Sequence, residues 1–268
     1  MKRNRIAVLF FLVSLALASC SKLTNGDVIT EERLIAPRFS VISMYNNVNV
    51  TLVQSDEPHL ELTCPKNLID KVTTELSLTG DTLIIKNENT LNWLRSYDYS
   101  IDLTVYYSDL REINYASIGN LKGEDPLRGY LSQLTDTLIN GNDTTYSHSY
   151  IKAFTLNINE GSGDIDLNFD CEVVKNKFGN GTSKVTFRGK SGYTELITRS
   201  YGLIDASQLN ANIVKVKSES TNDVYVWAKS QLIVQLYSIG NIYYKGEPSI
   251  TVEACTNDGR LLPYPPGK

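Results

Sequence analysis

The sequence predicts an all-β fold: a parallel β-helix-like solenoid of about six coils of ~20 residues, preceded by an N-terminal β region. Three columns of residues predict it. A small or turn-forming residue recurs at Gly119, Gly163, Ser183, Gly202, Asn222 and Gly240, with spacings of 20, 19, 20 and 18 from Gly163 onward. Two positions later stand Leu121, Ile165, Val185, Ile204, Val224 and Ile242, all aliphatic. Two positions earlier stand Ser117, Gly161, Gly181, Ser200, Ser220 and Ser238, all Gly or Ser. An aliphatic column at a fixed place in each unit implies side chains stacked from coil to coil. The Gly/Ser and Gly/Asn columns imply corners, where φ > 0 or a close backbone approach is needed. An antiparallel sandwich with recurring hairpins is the competing architecture.

The elements follow in chain order. Lys2, Arg3 and Arg5 precede an apolar run, Ile6–Leu17, that is shorter than the roughly 20 residues of a membrane-spanning helix. Leu17-Ala18-Ser19-Cys20 then resembles a bacterial lipobox. Residues 1–19 read as a lipoprotein signal peptide and Cys20 as the lipidation site. An ordinary signal peptide with an incidental cysteine is the alternative. Each buried CH₂ contributes about 0.8 kcal/mol, so two or three chains make a durable anchor. Removal of 19 of the 268 residues leaves 249, enough for one large domain or two small ones.

Residues 20–34 read as a polar tether that carries Asn25-Gly26. Residues 35–110 read as the N-terminal β region. Val48–Leu52, Leu60–Leu62 and Ile101–Val105 alternate apolar and polar, and Gly80-Asp81 is a turn before Thr82–Ile85. One or two helical turns fit around Asn67–Leu76. Residues 111–248 read as the solenoid and 249–268 as a C-terminal tail. Between Gly119 and Gly163 the chain has one repeat plus an excess, assigned to an insertion at 124–150. That insertion carries Asp125-Pro126 and Asn140-Gly141-Asn142-Asp143, and reads as a projecting loop or small subdomain.

The corner is clearest in Gly161-Ser162-Gly163-Asp164-Ile165 and again in Ser238-Ile239-Gly240-Asn241-Ile242. With a lipobox and an N-terminal β region, the pattern resembles the head GIN domain family of auto-transporter adhesins, common in Bacteroidota. The resemblance covers Phe39 to Pro248, departing from the pattern at Ser183, at Asn222 and in the insertion. It implies a β-helix-like fold on exported, often lipidated proteins. It supplies no catalytic residues. Ser21-Lys22-Leu23 lacks the acidic run tied to surface export in that phylum, which favours a periplasm-facing lipoprotein of the outer membrane.

The chemical inventory argues against an enzyme. There are only two histidines, His59 and His148, in different regions, and no GxSxG, HExxH, P-loop or dinucleotide fingerprint. Asp164 and Asp166 are the pair a carbohydrate-active enzyme could use, though the same spacing describes a solvated strand edge. No cofactor or metal site is expected, since Gly161–Asp166 and Thr256–Gly259 lack the dense carboxylate set of a calcium loop. A net charge of −4 without a basic cluster past the leader argues against nucleic acid. Cys64, Cys171 and Cys255 are odd in number, so they read as buried thiols, or as one disulfide plus a thiol.

Tyr225, Trp227 and Tyr243 are the candidate ligand-binding residues, because Tyr225 and Tyr243 share the outward column of the repeat. Aromatics on a rigid β face stack on sugars or pack on protein, and tyrosine also simply suits strands. Asp136-Thr137-Leu138 and Asp143-Thr144-Thr145 resemble O-glycosylation triplets of Bacteroidota. The expected function is a non-enzymatic envelope lipoprotein binding protein or glycan. A self-associating structural protein and a carbohydrate-active β-helix enzyme are the alternatives. With Cys20 replaced by Ala, the protein is expected to lose palmitate label and leave the membrane fraction. Label retained on the variant overturns the anchor.

Overall fold

The computed structural model describes residues 26–35, 39–89, 99–140 and 143–264, and they are all-β. The strands in chain order are β1 (Val28–Leu34), β2 (Val41–Asn46), β3 (Asn49–Gln54), β4 (His59–Pro65), β5 (Val72–Leu76) and β6 (Thr82–Asn87). Then come β7 (Asp102–Tyr107), β8 (Glu112–Ser117), β9 (Leu121–Leu127), β10 (Tyr130–Asn140), β11 (Asp143–Gly161) and β12 (Ile165–Phe178). The last are β13 (Lys184–Thr198), β14 (Leu203–Ser218), β15 (Val224–Leu236), β16 (Ile242–Lys245), β17 (Ser249–Cys255) and β18 (Leu261–Pro263). Among the described residues the only helical piece is a 3₁₀ turn, Ile69–Lys71, within the stretch expected to turn.

The recurring aliphatic residues are register partners. Val50 pairs with Leu121, Leu121 with Ile165, Ile165 with Val185, Val185 with Ile204, Ile204 with Val224, Val224 with Ile242 and Ile242 with Leu261. Every pairing in that series is parallel, so each rung lies directly on the last. Residues from Val50 to Ile242 in this column are buried. Each such side chain contributes roughly 1.5–3 kcal/mol on leaving water. β8, β11, the C-terminal halves of β12–β15 and β17 form a second series in which Ile113, Leu156, Asn176, Leu196, Val216, Val234 and Val252 follow one another. Inward side chains of both halves share one core, where the rings of Phe154, Phe169 and Phe187 pack tilted and then edge to face, with centroids 5.5 and 5.3 Å apart.

The anchor column forms the corner. A Cβ on Gly163 would lie 2.3 Å from the Gly119 carbonyl oxygen, and one on Gly240 would lie 2.2 Å from that of Asn222. Only a hydrogen fits where the rung below already has its carbonyl. The serines two positions earlier have a matching task. The amides of Gly119, Gly202 and Asn222 donate to the hydroxyls of Ser117, Ser200 and Ser220 at 3.0, 3.2 and 3.1 Å. Those amides face a corner and have no strand partner of their own, so the hydroxyl satisfies them. Ser183 departs from the rule: it carries a Cβ at the corner and is fully buried.

Four boundaries differ from the sequence reading. Much of the expected tether is strand: β1 pairs antiparallel with β4 from Val28↔Pro65 to Leu34↔His59. Arg33 explains why so polar a strand holds. Its guanidinium donates to the carbonyls of Val72 and Ile69 at 2.5 and 3.1 Å and to Thr74 Oγ1 at 3.2 Å, and it pairs with Glu31 at 2.6 Å. The N-terminal β region is continuous with the rest, since β2 pairs with β8 and β3 with β9. The insertion contributes the end of β9 and then a hairpin, β10 with the first part of β11, in register from Tyr130↔Ala153 to Asn140↔Asp143. The expected tail adds rungs, because β17 pairs with β15 and β18 with β16.

Gly163→Ala is expected to destabilise the protein by about 1–3 kcal/mol, because backbone must shift. Gly179→Ala should change stability by no more than about 0.5 kcal/mol, since its new Cβ would sit 3.5 Å from the nearest atom. Urea denaturation of both variants checks the contrast, and equal stabilities overturn the corner argument.

Candidate functional site: an aromatic face on the last rungs

Strand alternation sends Val224, Val226 and Ala228 inward and Tyr225 and Trp227 outward along β15. In-register pairing then sets Tyr243 of β16 on Tyr225 and Lys245 on Trp227. The two tyrosine rings stack with centroids 5.0 Å apart at 10°. This spacing is close to the ~4.8 Å that separates neighbouring strands, so the ladder itself dictates the stack. Tyr264 closes one side, edge-on to Tyr225 at 5.8 Å. The Lys245 ammonium lies 3.9 Å from the Trp227 ring centroid, a cation–π contact. All three candidate residues are half-buried. Burial pushes the Tyr225 hydroxyl pKa up, and Asp223 adds to it, so the ring stays neutral over the physiological range. The face is thus a rigid, uncharged aromatic platform with a cation at one edge.

The three candidate residues expected from the sequence therefore sit together. Lys245 and Tyr264 were missed. Lys245 was legible in principle, being five positions after Gly240 as Trp227 is five after Asn222.

Other singled-out residues are engaged elsewhere. His59 stacks on Tyr106 at 4.0 Å, and its Nδ1 lies 2.8 Å from the Glu57 carbonyl. Asp166 pairs with Arg188 at 2.8 Å on the surface. Cys64, Cys171 and Cys255 are all free thiols. The first two are buried as expected, whereas Cys255 is exposed because β17 ends the stack. Burial pushes the Cys171 thiol up to about 12. Cys20 lies outside the described residues, and the two glycosylation triplets and His148 fall on the hairpin strands.

Fold and face together define a class: an all-β protein whose rungs stack in register and present an ordered outer surface. The chain belongs to the putative auto-transporter adhesin, head GIN domain family, whose pattern matches residues 38–248. No curated protein matches the chain. Among solved structures, it is similar to a putative adhesin from Bacteroides fragilis NCTC 9343, with a TM-score of 0.69 and 18% identity over 88% of this chain and 97% of that one. It is also similar to a putative lipid binding protein from Parabacteroides distasonis ATCC 8503, with a TM-score of 0.58 and 19% identity over 90% and 98%. A putative adhesin from Parabacteroides merdae ATCC 43184 shares the fold at a TM-score of 0.53 and 17% identity over 90% and 98%. At such identities the likeness is one of fold.

Lys245→Ala is expected to shift the emission of Trp227 and to cost about 0.5–1 kcal/mol, the usual worth of an exposed cation–π contact. Fluorescence and thermal melts check this. Unchanged emission overturns the contact.

Proposed function

We propose that the protein is a non-enzymatic, lipid-anchored binding module of the cell envelope, held through Cys20 and built as a β-helix-like solenoid of about six coils. The stacked Tyr225–Tyr243 pair, with Trp227 and Lys245 beside it, is the observation that carries the binding role. Rings fixed at strand spacing lose little conformational entropy on binding, which favours contact with a saccharide or a protein surface. Membership of an adhesin family supports an envelope location, and the lipobox supports the anchor. The parallel register pairs support the solenoid reading.

The test is a glycan array together with pull-down from envelope extracts, using the full-length protein in detergent. Binding is expected in one of them, and Tyr225→Ala with Tyr243→Ala should weaken it about tenfold or more. Reproducible silence in both overturns the binding role.

A second reading, self-association, has its own observation. Ile250 and Val252 occupy core columns on β17 yet are 42% and 52% exposed, because the described stack ends there. An open strand edge with apolar residues invites a second copy of the chain. Sedimentation should then show a mass that rises with concentration and falls back for Val252→Lys. A monomer mass at all concentrations overturns it.

A further inference from the structure

The corner opposite the glycine column holds a groove of about 820 Å³. The base of the β10–β11 hairpin forms one wall through Arg128 and Lys152. The turning points of β12 to β15 form the other, where Asp170, Lys190 and Asn210 are successive register partners and Lys229 follows. Four cations and two carboxylates line it. The carboxylates are already engaged: Asp170 pairs with Lys190 at 3.3 Å, and Glu172 accepts the Lys152 backbone N–H at 2.6 Å. Arg128, Lys152 and Lys229 form no ion pair among the described residues. The groove is therefore positive on a protein whose net charge is −4.

Asn210 supplies an independent observation. Asn210 lines the groove, and its Oδ1 is buried without a hydrogen-bond partner. A buried acceptor lacking a donor is unfavourable, and turning the amide toward the groove would let it accept from a ligand hydroxyl. The cations are spread over several rungs and are mostly lysines. That arrangement suits single charges recurring along a chain better than one phosphate held by an arginine fork. The outward series of β15 also runs Tyr225, Trp227, Lys229, so the aromatic face leads to this corner.

We propose that this groove binds an acidic saccharide chain, with Lys190, Lys229, Arg128 and Lys152 facing its carboxylates and Asn210 accepting from a hydroxyl. The proposal rests on the binding reading above and names a ligand class for it, at different residues. The sequence reading found no basic cluster because the cations are one to two repeats apart in the chain. Seven positions after Ser183 and Asn222 stand Lys190 and Lys229, and stacking brings those places together.

The experiment is calorimetric titration of the full-length protein in detergent with polygalacturonate oligomers, neutral dextran oligomers and inorganic phosphate. The polyuronate is expected to bind, to weaken as salt is raised, and to bind more tightly as the oligomer lengthens. Lys190→Gln with Lys229→Gln should weaken it about tenfold, and Asn210→Ala several-fold. Both lysines are exposed, so melting temperatures should hold. No polyuronate binding, binding indifferent to the lysine pair, or phosphate binding as tightly as the oligomer would each overturn the proposal. The same titration on Tyr225→Ala separates the two readings. Polyuronate binding that needs the lysines but not the tyrosine sustains the groove and removes the aromatic face. Glycan-array binding that needs the tyrosine but not the lysines does the reverse.

Discussion

The stack depends on one steric fact at four of its corners: the carbonyl of the rung below occupies the place where a Cβ would stand, whereas Ser183 and Asn222 carry a Cβ at the same position of their rungs. Gly119, Gly163, Gly202 and Gly240 answer it by having no Cβ. Because the corners superimpose, the strands leaving them start in phase. Because they start in phase, Ile165, Val185, Ile204, Val224 and Ile242 meet in one column. The outward residues are placed by the same rule, so Tyr243 lands on Tyr225 without any contact designed for that pair alone.

That logic also explains what the sequence made legible. The aliphatic column, the small-residue corners and the aromatic pair were readable because they recur at one place in every repeat. What was missed lies where recurrence fails. β1 carries three charges and a threonine among its seven residues and is stabilised by Arg33 reaching across to β5, and nothing in a seven-residue window announces that partner. β17 and β18 keep the column positions and the spacing, Gly259 and Leu261 each standing 19 residues after Gly240 and Ile242, but Asn257 replaces the Gly or Ser expected two positions before the anchor, so they read as a tail. The hairpin looked like a loop because its Asn-Gly-Asn-Asp tip is conspicuous and its strands are polar. The groove draws its four cations from separate places along the chain, so no stretch of chain looks basic.

The core is not uniformly apolar. Asn176 stands between Leu156 and Leu196 in an inward column, fully buried. Its Nδ2 donates to the Leu156 carbonyl at 3.2 Å, while its Oδ1 has no partner. Thr198 and Ser218 follow Phe178 in the adjacent column, also buried. Small hydroxyl residues give up apolar area there, but they leave room for the Phe178 ring, which lies within 2.3 Å of where a Gly202 side chain would begin. A bulky ring on one rung is thus accommodated by small residues on its neighbours.

The Arg33 clasp gives the molecule a mechanical polarity. A load entering at the N-terminus reaches β1 first, whose antiparallel pairs to β4 span Val28 to Leu34. Arg33 shares that load with Val72, Ile69 and Thr74 on the other half of the sheet, so both halves resist together. At the far end, β17 and β18 are each fastened to a single neighbouring strand, β15 and β16 respectively. A molecule held at its first strand and tugged at its last would therefore shed its final rungs while the base kept its grip.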